Sequence, residues 1–70
     1  MTLKEGVPGS EYVVRSIETQ DKGLNAFLFS LGCYSGENIT LISKYKSGCI
    51  VAIKDGRYTV DNDLAHAIKI

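Results

Sequence analysis

Apolar positions in this 70-residue chain follow two spacings. Leu24, Phe27, Leu28 and Leu31 stand at i, i+3, i+4 and i+7, which places them on one face of a helix. Gly32 follows directly, and glycine is favoured just past a helix end because it reaches the left-handed conformation without steric penalty. Asp21 precedes the stripe, where its carboxylate can accept from N–H groups of the first turn.

Elsewhere the pattern is that of strands. Val7-Pro8-Gly9 reads as a turn leading into Tyr12 to Ile17, a stretch rich in β-formers in which neither face is marked as inner. A second strand is predicted from near Asn38 to about Tyr45, with Lys46-Ser47-Gly48 reversing it into Cys49 to Lys54. Asp55-Gly56 then reads as a two-residue turn that returns the chain along Arg57 to Val60. That register sets Lys54 against Arg57, Ile53 against Tyr58 and Val51 against Val60, and puts Val51, Ile53, Tyr58 and Val60 on the core face. Asp61 caps a turn or one-turn helix at Asn62-Asp63, Leu64 and Ala65 tuck inside, and Ala67 to Ile70 closes the chain as a short strand. The pattern therefore predicts a mostly β domain spanning residues 1–70: a small five-stranded barrel with one short helix, whose task is to cover it.

Size and charge narrow the function. A chain this short buries only about 60% of the surface its unfolded form exposes, which leaves little room for a catalytic cleft. Eight Lys+Arg balance eight Asp+Glu, so no overall field draws the protein to nucleic acid or an anionic bilayer. No apolar run approaches the ~20 residues that direct membrane insertion needs. Two cysteines without a secretory signal pattern fit reduced thiols and a cytoplasmic location.

Motifs for chemistry are sparse. A phosphate-binding loop needs Lys-Ser/Thr after its glycines, and Glu37 follows Gly36 instead. Cys33, Cys49 and His66 are the candidates for holding Fe²⁺ or another divalent transition metal, but no two lie at the short spacing of a metal motif. Asp61, Asp63 and His66 offer a harder donor set that serves equally well to solvate a turn. Lys44-Tyr45-Lys46 has the basic and aromatic interleaving of a single-strand nucleic-acid binder, a reading that zero net charge opposes. Protein recognition fits better. Phe29 lies off the helix stripe, and with Tyr34 and Tyr45 it supplies side chains of the kind enriched at interface hot spots.

Thr2-Leu3, Pro8-Gly9, the helix ending Leu28-x-x-Leu31-Gly32, Gly36-x-x-Ile39, Gly48, Ile50 to Ile53, Tyr58 and Ala65-x-x-Ile68-x-Ile70 together resemble the FeoA family across essentially the whole chain. The most specific piece is Leu31-Gly32-Cys33-Tyr34-Ser35-Gly36, similar to the family's Leu-Gly-x-x-Pro-Gly turn with Ser35 in place of proline. The resemblance implies an SH3-like β-barrel. It also implies a cytosolic accessory, with no enzymatic activity, of a FeoB-type ferrous iron transporter, bound to that transporter's cytosolic GTP-binding domain or membrane domain. A related module in iron-dependent repressors supplies the alternative, a stand-alone metal-binding or metal-sensing domain.

Overall fold

The computed structural model describes residues 1–70. A 3₁₀ turn (Leu3–Glu5) leads to β1 (Glu11–Val13), β2 (Ser16–Ile17), α1 (Lys22–Leu31), β3 (Asn38–Tyr45), β4 (Gly48–Ile53), β5 (Gly56–Asp61), α2 (Asn62–Ala67) and β6 (Ile68–Lys69). The strands form an antiparallel sheet in the order β1-β3-β4-β5 and a two-stranded β2-β6 ladder. There are thus six strands in two sheets instead of five in one barrel. The predicted Tyr12 to Ile17 strand is split: β1 pairs with β3, whereas β2 pairs with β6. Between them the Val14 N–H donates to the Glu37 carbonyl at 2.8 Å and the Arg15 N–H to the Lys69 carbonyl at 2.8 Å. The chain turns a corner there, which is why Val14 and Ile17, at odd spacing, both meet the core.

Local chemistry places most boundaries. Val7 to Ser10 follows the pattern of a type II turn, with Pro8 second, Gly9 third at φ 90°, and the Ser10 N–H donating to the Val7 carbonyl at 3.1 Å. Asp21 Oδ1 accepts from the Leu24 N–H at 3.0 Å, and Asp61 Oδ1 from the Leu64 N–H at 2.8 Å, so both predicted caps form. A bulge in β3 sets Leu41 against Val51 but Ser43 against Ile50, leaving Ile42 over; it bends the long strand.

The second hairpin differs from its predicted register. Lys54 and Asp55 make the turn, Lys54 with φ 53°, so Ile53 faces Gly56, Val51 faces Tyr58 and Cys49 faces Val60. Lys54 does not face Arg57. Each strand has moved by one residue, a combined shift of two, which keeps every side chain on its predicted face. Val51, Ile53 and Val60 are accordingly buried and Tyr58 packs against them.

The larger correction concerns which helix closes the fold. Leu64, Ala65 and Ala67 of α2 are buried, as is Leu3 of the 3₁₀ turn. In α1 only Leu28 is buried; Leu24 and Leu31 are half-buried, and Phe27, on the predicted inner stripe, is 52% exposed. The space over the sheet is already filled from the two chain ends, so α1 touches the core along a narrow line. Leu3 belongs to that core because Thr2 and Glu5 fold the segment back: the Thr2 N–H and Oγ1 donate to Glu5 Oε1 at 2.7 and 2.9 Å. No helix is long and apolar enough to cross a membrane.

Candidate functional site

β4 is six residues long, so its two ends lie about 17 Å apart at ~3.3 Å per residue. The candidate recognition residues divide between them.

At one end α1 finishes. Gly32, at φ 89°, and Cys33 donate their N–H groups to the Phe29 and Leu28 carbonyls at 3.0 and 2.9 Å, and Cys33 is buried with Leu28 in the core. That closure holds Phe29 and Tyr34 together on the surface, with ring centroids 4.8 Å apart and planes tilted by 31°. Phe29 is 65% exposed, which makes it a surface group; Phe27, two residues earlier, is also exposed but about 200° away around the helix. Lys54 Nζ donates to Glu37 Oε2 at 3.0 Å and lies 6.0 Å from the Tyr34 ring centroid, at the outer limit of a cation–π contact. Accepting that bond, the Glu37 carboxylate pushes the Lys54 ammonium above its usual value. Glu11, Glu37 and Lys54 line a shallow cleft of about 290 Å³ at this end. Exposed aromatic side chains of this kind are enriched at the hot spots of protein interfaces.

At the opposite end, where β3 turns into β4, Tyr45 is 47% exposed, so it is separated from Phe29 and Tyr34 by the length of the hairpin. Here the surroundings are basic. Lys44 Nζ donates to the Lys4 carbonyl at 2.6 Å and the Gly6 carbonyl at 3.3 Å, tying β3 to the 3₁₀ turn. Asn62 Nδ2 donates to the Lys46 carbonyl at 2.8 Å, tying α2 to the β3–β4 turn. Between these ties lies a cavity of about 220 Å³, with Lys4, Lys44 and Lys46 among its lining residues. Lys4 and Asn62 were not readable as site residues, because they reach the cavity only through the docking of the two chain ends. Lys44-Tyr45-Lys46 was the one local signal.

The metal candidates are not gathered. Cys33 is buried behind α1, Cys49 is buried at the start of β4, and His66 is exposed on α2. Burial pushes the Cys33 thiol up to about 11 and raises that of Cys49, where Lys44 partly opposes it, so both favour the neutral thiol over the ligating thiolate. No group of three or more His, Cys, Asp and Glu side chains stands where it could hold a metal ion.

Fold and sequence now point the same way, since the FeoA domain model matches residues 1–70. The chain belongs to the FeoA domain family. Several FeoA structures superimpose closely on it. The zinc complex of Stenotrophomonas maltophilia FeoA has a TM-score of 0.86 at 22% identity, covering 99% of this chain and 87% of that one. It is described as a prokaryotic SH3 domain protein and a candidate ferrous iron transport activating factor. Chlorobium tepidum FeoA gives a TM-score of 0.88 at 20% identity over 99% of this chain and 67% of that one. A manganese-dependent transcriptional repressor also matches, with a TM-score of 0.86 at 18% identity, but over only 39% of its own length against 97% of this chain. These identities establish a shared SH3-like fold. None of the curated proteins matches the sequence.

Proposed function

We propose that this FeoA-family chain is a cytosolic accessory of a FeoB-type ferrous iron transporter, bound to the transporter's GTP-binding or membrane domain and modulating Fe²⁺ uptake without catalysis of its own. The observation that carries this reading is the exposed aromatic pair at the end of α1, where Phe29 stacks against Tyr34 on the surface while only Leu28 of the helix is fully buried in the core. An aromatic as exposed as Phe29 buries little surface in the fold, and aromatic side chains are frequent anchors of a protein interface. The test is binding of the chain to the GTP-binding domain and to the whole transporter, with and without nucleotide. Phe29→Ala or Tyr34→Ala is expected to weaken binding about tenfold or more; absence of binding in every nucleotide state, with a well-folded chain, overturns the reading.

The likeness to the manganese-dependent repressor supports a second reading, a stand-alone metal-sensing module. Stoichiometric binding of Fe²⁺, Mn²⁺ or Zn²⁺ in calorimetry, abolished by Cys33→Ser, Cys49→Ser or His66→Ala, would favour it. The dispersed positions of those three residues weigh on the side of the accessory reading.

A further inference from the structure

The cavity at the basic end has a floor and a rim of different chemistry. Its floor is Leu3, Cys49 and Ala65, all buried. One wall is bare backbone at Gly48, where an added Cβ would collide with the Val60 carbonyl oxygen. Around the rim stand Lys4, Lys44 and Lys46, all exposed. The molecule has one ion pair, Lys54 with Glu37, so none of these three lysines has a carboxylate partner within 4.0 Å. Lys44 spends two of its three N–H donors on backbone carbonyls, which fixes its ammonium at the rim and leaves one donor free. In a chain of zero net charge, three lysines without ion-pair partners thus stand over an apolar hole.

We infer that this cavity is a docking site for a short acidic segment of a protein partner, with one apolar side chain on the Leu3, Cys49 and Ala65 floor and flanking carboxylates on Lys4, Lys44 and Lys46. The volume lies below the ~300–1,000 Å³ typical of sites for whole cofactors, and suits a single side chain. Charge complementarity selects the acidic flanks. A phosphate would call on a bidentate guanidinium or converging backbone N–H groups, and neither Arg15 nor Arg57 lines the cavity. The inference rests on the accessory reading only in taking the segment from a protein, and it gives Tyr45, at the cavity mouth, a role separate from that of Phe29 and Tyr34.

The experiment is a titration of the isotope-labelled chain, followed by amide chemical shifts, with an end-blocked peptide of alternating glutamate and leucine. Shifts are expected at Lys46, Cys49 and Asn62, with affinity falling about tenfold as salt rises from about 50 to about 300 mM. Lys4→Gln and Lys46→Gln should each weaken binding about threefold, and together about tenfold. Lys44 is left intact because it ties β3 to the 3₁₀ turn. The inference is overturned by no shifts at millimolar peptide, by equal binding of the alternating lysine and leucine peptide, or by tighter binding of pyrophosphate or a uridine oligonucleotide. Since no transporter is present, this titration can fail while the accessory reading stands, and can succeed if that reading fails.

Discussion

The two ends of the β3–β4 hairpin are built in opposite ways. The basic end is tied down by backbone-directed bonds from Lys44 and Asn62, and two buried elements, the 3₁₀ turn and α2, meet there. The aromatic end is held by one helix with a single buried side chain, Leu28, and a glycine closure that carries Phe29 and Tyr34 outward. One end resembles a core with a hole in it; the other resembles a platform leaning on a core. In a small domain with little stability to spare, aromatic surface that is not used for packing supports the platform as the proposed partner surface.

Substitutions separate the two. The largest effect is expected from Gly48→Ala, where the new Cβ would meet the Val60 carbonyl and lie 3.0 Å from the Asp61 Cα, forcing β4 and β5 apart. A loss of about 4 kcal/mol or failure to fold is expected in urea unfolding. Leu28→Ala should cost about 3 kcal/mol, because it removes the one buried anchor of α1. Phe29→Ala, one residue away, should change stability by less than about 0.5 kcal/mol while reducing partner binding. If Phe29→Ala destabilised the fold as much as Leu28→Ala, α1 would be a packing element and the contrast would fail.

Cys33 gives a test in alkaline solution. Its pKa is raised from 9.0 to about 11 by burial, so its contribution is fully present below pH 9 and is lost as pH rises through about 11. Stability measured by denaturant at successive pH values should fall over that window by on the order of 2 kcal/mol, and less steeply in Cys33→Ala. Smaller again, about 1 kcal/mol, is the expected loss for Asp61→Ala, which removes the cap of α2. Glu5 is held below 4.5, chiefly by accepting from the Thr2 N–H, so its contribution is present above that value and fades as pH falls through the lower folded one. The Thr2 amide signal should report the opening of the 3₁₀ turn there, with little change in global stability.

What the sequence made legible follows the range of the interactions. Asp21, Asp61, Gly32 and the Val7 to Ser10 turn act within a few residues, and each forms as read. The inner faces of β4 and β5 were also readable, because an alternation of two survives a register error of two. The position of the turn was not, since Lys54 enters the left-handed region where Asp55-Gly56 looked better suited. Lys54 there extends toward Glu37, a residue 17 positions away that no local rule includes. The burial of Leu3 and the exposure of Phe27 share one cause: the chain ends compete with α1 for the sheet, and local periodicity cannot say which side wins. For the same reason Phe29 and Tyr34 could be chosen by residue type but their contact could not be foreseen, and the grouping of Lys4 with Lys44 and Lys46 emerged only from the fold.

The most direct test of the central claim is an amide chemical-shift map of the labelled chain upon addition of the GTP-binding domain of a FeoB-type transporter. The platform account predicts the largest shifts at Phe29, Tyr34 and Lys54, lost in Phe29→Ala although that variant stays folded. Shifts that spare this end, or a Phe29→Ala chain that binds as well as the unaltered one, would contradict it.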